Sequence, residues 1–99
     1  MNGKYTAIIR KSKQDYIAVC LELNISATGE TLADVEKNLR DSIVLYLEDT
    51  HEHPETVVSS ISIDDFIEFL SDTEPDSKIK EQDEYILRPL ELHEVAVYA

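Results

Sequence analysis

The sequence predicts an α+β fold: a three-stranded antiparallel sheet, a crossover helix and a fourth strand, with a short helix inserted before that strand. Three observations carry the prediction. Residues 4–28 hold three runs rich in β-branched and aromatic side chains, separated by polar turns. The stretch Gly29-Glu30-Thr31-Leu32-Ala33-Asp34 then reads as a tight turn followed at once by a helix start. Residues 92–98 return to strand-like composition.

Residues 4–11 form the first strand, and Ser12-Lys13-Gln14-Asp15 is a polar connection. Residues 16–23 alternate. Ile17, Val19, Leu21 and Leu23 share one face, while Tyr16, Ala18, Cys20 and Glu22 share the other. These two strands predict an antiparallel hairpin, with Cys20 pointing away from the more apolar face. Asn24 marks a turn or bulge, and residues 25–28 make a short third strand. Gly29 can leave that strand at dihedrals closed to other residues. Thr31 is a good N-cap, and Asp34 stands at the capping-box spacing. Glu30 and Asp34 also suit the positive end of a helix dipole.

The first helix is predicted over residues 32–48. Leu32, Val35, Leu39, Ile43, Tyr46 and Leu47 recur at steps of three and four, and this stripe requires a sheet face to cover. Residues 50–60 are polar and read as a loop. A second start signal follows, with Ser62 and Asp65 at capping-box spacing and Ile61 with Phe66 as a hydrophobic staple. Ile63, Phe66, Ile67 and Leu70 then predict a short amphipathic helix. Residues 71–84, around Pro75, have the least structured composition, and Arg88-Pro89 interrupts the strand-like run that begins at Tyr85. A right-handed crossover through the long helix would set the last strand parallel to the first. The 99 residues suit one domain, with a core at 4–49 and 91–98 and an acidic insertion at 50–90.

The chain is 42% hydrophobic, as a folded globule should be, yet no apolar run approaches the roughly 20 residues of a membrane span. The start of the chain shows no signal peptide, and a single cysteine precludes an internal disulfide, so a cytoplasmic location is expected. Net charge is −12. Its distribution is uneven: residues 1–29 carry four basic and two acidic groups, and residues 30–99 carry five basic and 19 acidic ones. So acidic a surface repels phosphates and attracts basic partners, which excludes direct DNA binding as an expectation.

Few motifs point to catalysis. His51-Glu52-His53 has zinc-type ligands but lacks the helical spacing that brings them together, and His93 is far away in the chain, so no metal or other cofactor is expected. Asp64-Asp65, Glu48-Asp49 and Asp83-Glu84 are sequence neighbours and do not converge on one point. With only Gly3 and Gly29 present, no phosphate loop can form. Residues 10–13 read as a solvated hairpin edge.

One family fits the order of these pieces. Tyr5-Thr6-Ala7-Ile8-Ile9-Arg10-Lys11, then residues 15–23, then Gly29-Glu30-Thr31, then a helix ending Tyr46-Leu47-Glu48, resembles the HicB antitoxins of HicA–HicB toxin–antitoxin pairs. The likeness covers residues 4–49, with a return at 92–98. It implies a partial ribonuclease-H-like fold in a stand-alone form, and a function by occlusion of a small basic HicA-like ribonuclease that cleaves mRNA. It implies no nuclease activity here, since no catalytic carboxylate set can be matched. Residues 21–26 depart from the family's Pro-Asp-Leu-Pro-Gly-Cys turn, and residues 50–90 have no counterpart. No DNA-binding module of the kind that ends many such antitoxins is visible.

The expected partner-binding residues are the acids Glu36, Glu48, Asp49, Asp64, Asp65 and Glu68, with Tyr46 or Tyr85 as aromatic anchors. The alternative reading is an orphan HicB-like adaptor without a toxin. An exposed edge strand over residues 92–98 would then pair across a two-fold axis into a homodimer or higher oligomer. A metal-dependent hydrolase or nuclease ranks below both.

Overall fold

The computed structural model describes residues 3–74 and 92–97. Three strands come first: β1 (Gly3–Ser12), β2 (Asp15–Cys20) and β3 (Ile25–Gly29). Two helices, α1 (Leu32–Glu52) and α2 (Ile63–Asp72), precede β4 (Leu92–Val97). The sheet order is β3-β2-β1-β4. The α+β architecture, the three-stranded meander and the inserted second helix therefore match the sequence reading. None of the helices among the described residues is long and apolar enough to cross a membrane.

The hairpin is tighter than expected. Ser12 pairs with Asp15, so only Lys13 and Gln14 lie between the strands. Lys13 takes a φ of 63°, the left-handed geometry a two-residue connection demands. Asn24 turns the chain into β3 with a φ of 57°, its amide donating to Cys20 O at 2.8 Å.

The expected parallel last strand is not found. β4 runs antiparallel to β1, with Gly3 opposite Val97 and Ile8 opposite Leu92. The reason is the number of passes the chain makes. α1 starts beside Gly29, at the end of the sheet where the hairpin turns. By Arg40 it has reached the opposite end, where Arg40 Nε donates to Ala96 O at 3.4 Å. One helix alone would leave the next strand parallel to β1. However, Ile61 N–H is held by Leu21 O, and Glu74 forms a two-way backbone bridge with Lys11. α2 thus carries the chain back to the turn end, and β4 runs away from that end, from Leu92 opposite Ile8 to Val97 opposite Gly3.

The main core lies between α1 and one face of the sheet. Val35, Leu39 and Ile43 pack with Ala7, Ile9, Ala18, Cys20, Val95 and Val97, and Leu23 closes one end. This places Cys20 in the α1 core, on the face the sequence reading took for the less apolar one. Both faces of β1 and β2 are covered, so alternation alone could not rank them. Ile8 and Val19, paired across the hairpin, point to the other face and are equally buried. Burial accordingly pushes the Cys20 thiol up from its ordinary range, helped by the Glu22 charge.

α1 continues to Glu52, one turn beyond the predicted end, which takes Thr50, His51 and Glu52 out of the expected loop. Both predicted caps form. Thr31 Oγ1 accepts from Asp34 N–H at 3.0 Å, and Ser62 Oγ accepts from Asp65 N–H at 3.1 Å. Gly29 is needed for closeness, since no glycine has a positive φ. A Cβ at Gly29 would stand 2.5 Å from Val35 N and 2.8 Å from Asp34 C. The strand therefore enters the helix with its backbone against the first turn. Replacing Gly29 with alanine should force the two backbones apart and cost about 1–3 kcal/mol, read as a lowered urea midpoint.

Candidate interaction surface

Two local features hold the second helix and the sheet end in place. The first is Arg10, which the sequence reading put on a solvated edge and which is only 6% exposed. Its Nε donates to Thr73 Oγ1 at 2.7 Å, and one terminal nitrogen donates to Leu70 O at 3.1 Å and Thr73 O at 2.9 Å. Thr73 Oγ1 in turn donates to Phe69 O at 2.7 Å. The last carbonyls of a helix lack partners within it, and a cation is favoured there by the dipole. Arg10 supplies both donors and charge to the end of α2. Burial lowers its pKa, and the nearby Glu74 charge opposes that effect. Lys11, next along β1, stacks over the Tyr16 ring at 4.4 Å.

The second is Glu22. Its Oε1 accepts the Thr6 amide at 2.8 Å and the Cys20 thiol at 3.7 Å. Burial acts to raise its pKa, but the Thr6 amide and the other hydrogen bonds outweigh it, so the carboxyl titrates below the ordinary glutamate range. A carboxyl whose pKa is depressed by folding stabilises the fold above its unfolded pKa and loses that contribution as pH falls through the folded one. The urea midpoint of the wild type should therefore drop more steeply below about pH 4.3 than that of Glu22→Gln.

The outer surface of the helices is where the charge collects. From Asp41 to Glu74 the chain has ten carboxylates and no lysine or arginine. α1 has 21 residues, about 30 Å, and outruns the sheet. Its last turns carry exposed Glu48, Asp49 and Glu52 beyond the end opposite the hairpin turn. α2 starts at that same end, beside Leu21, and its first two turns carry exposed Asp64, Asp65 and Glu68. Five of the predicted residues are thus gathered toward one end of the molecule, on helices that cover opposite faces of the sheet. Glu36 lies apart, in the first half of α1, with its carboxylate 3.9 Å from Arg40. Tyr46 is half-buried against the α1 core, and Tyr85 lies outside the described residues.

His53 caps α1, its amide donating to Asp49 O at 2.9 Å, and its ring stands 3.9 Å from Asp49 Oδ1 and 3.7 Å from Glu55 Oε2. Among the described residues no three His, Cys, Asp or Glu side chains are grouped so as to hold a metal ion.

Apolar residues also lie exposed toward this end. Val57 is 82% exposed, Ile63 76% and Ile67 55%, and Val58 and Leu45 are also exposed. Ile63 and Ile67 were expected to face the core together with Phe66 and Leu70. Instead Phe66, Phe69 and Leu70 are the half-buried side of α2, and the two isoleucines lie on its rim. Helical spacing defines a stripe but not which half of it meets the sheet.

Comparison with family models, with curated proteins and with solved structures gives no match.

Proposed function

We propose that the chain is an antitoxin-like binding protein of HicB type. It neutralises a small, basic, mRNA-cleaving toxin in the cytoplasm by covering the toxin's active surface, and it performs no chemistry of its own. The observation that carries this reading is the end of the molecule where α1 finishes and α2 begins, with exposed carboxylates on both helices and no lysine or arginine from Asp41 to Glu74. A ribonuclease must present positive charge to RNA. An acidic protein surface competes for that charge, steers the encounter and loses attraction as salt rises.

The tagged protein, passed through a lysate of its source cells at low and at high salt, should retain a small basic protein that cleaves RNA, less of it at high salt. Recovery of the protein alone, or with large acidic partners, would contradict the reading. A second reading, the oligomeric adaptor, draws on β4 standing last in the strand order, where a sheet edge can pair with another copy. Light scattering separates the two, because the adaptor predicts a homodimer or higher oligomer with no toxin bound.

A further inference from the structure

We infer that the Ile63–Ile67 rim of α2, with Asp64 and Glu68 beside it, docks an amphipathic, lysine- or arginine-bearing segment of a partner protein. This deepens the antitoxin reading and rests on it for the nature of the partner.

Three observations meet there. Ile63 and Ile67 are one helical turn apart, so their side chains form one continuous apolar strip. They are 76% and 55% exposed, where water contact costs the most for a branched aliphatic chain. Asp64 and Glu68 follow each isoleucine by one position and repeat with the same spacing, so an acidic row runs parallel to the apolar strip. A simple acidic face would attract any polycation. A strip and a row side by side select a ligand with its own apolar line next to its own basic line, the pattern of an amphipathic helix. Val57 and Val58, exposed in the segment leading to α2, extend the apolar character of this end. The inner side of α2 is already committed, through Phe66, Phe69, Leu70 and the Arg10 contacts, so the rim is available without unseating the helix.

The probe is a labelled synthetic peptide of about 18 leucine and lysine residues patterned as an amphipathic helix. Its control has the same composition with the apolar line scrambled. Fluorescence anisotropy at about 0.15 M salt should show the patterned peptide binding at least about ten-fold more tightly than the scrambled one. The double substitution Ile63→Ser and Ile67→Ser should remove that preference while the circular dichroism spectrum and urea midpoint stay unchanged, since both side chains are exposed. A second variant, Asp64→Asn with Glu68→Gln, should weaken both peptides alike. Equal binding of the two peptides, or an unchanged preference in the serine variant, would overturn the inference. If the serine variant still silenced a basic ribonuclease in full, the inference would fail while the antitoxin reading stood. If no ribonuclease were ever silenced yet the peptide preference held, the reverse would be true.

Discussion

Replacing Arg10 with alanine should lower the stability of the protein by about 2–4 kcal/mol, because several buried acceptors then lose a charged donor. That guanidinium donates to Thr73 Oγ1 and to two carbonyls that finish α2. Without it, Thr73 O stays buried and Leu70 O half-buried with no charged donor, and the end of α2 loses its side-chain anchor on β1. The loss should be uneven in space. Amides of α2 should exchange with solvent much faster, while those of α1 and the β1–β2 hairpin change less, since their own core is intact. Arg10→Lys should recover only part of the loss, because an ammonium cannot place a planar fork on Thr73 Oγ1 and two carbonyls together. Thr73→Val breaks the same network from the other side. Its effect and that of Arg10→Ala should be non-additive by more than about 0.5 kcal/mol in a double-mutant cycle.

Leu39→Ala should cost about 2–5 kcal/mol, the usual range for a buried leucine whose site collapses only in part. Leu39 is 1% exposed and sits between Val35 and Ile43 on the stripe of α1 that covers the sheet. A domain of this size has only about 5–15 kcal/mol of stability in total, so the variant could be half-unfolded at modest urea concentrations. Leu45, on the same helix and 66% exposed, is the control. Leu45→Ala should move the urea midpoint by an amount worth less than about 0.5 kcal/mol. Equal effects at Leu39 and Leu45 would mean that α1 does not pack on the sheet as described.

Local chemistry was legible in the sequence, and chain path was not. Thr31 and Ser62 could be named as caps because a cap is settled within three residues. The hairpin could be named because two strand-like runs flank a short polar gap, and Val35, Leu39 and Ile43 because helical periodicity marks the stripe of α1 that is buried. Arg10 could not, since its partners are 60 and 63 residues away and nothing near it in sequence marks them. The direction of β4 was misjudged because it depends on how many times the chain crosses the sheet, and the second crossing, by a 10-residue helix, was read as an insertion without a direction. Cys20 was assigned to the wrong environment because β1 and β2 are covered on both sides. Charge was fully legible, and its position in space was partly so. The acids of α1 and α2 could be counted in advance, but only the fold shows that the end of one helix and the start of the other lie at the same end of the sheet.

The most direct test of the proposed function is RNA cleavage by any small basic protein that the chain retains from a lysate of its source cells, measured while the chain is titrated in. Cleavage should fall to background near one equivalent at low salt and recover as salt is raised, with the Asp64→Asn, Glu68→Gln variant requiring several-fold more protein. Cleavage that is undiminished at a large excess of the chain would contradict the claim, and the acidic end would then need another partner.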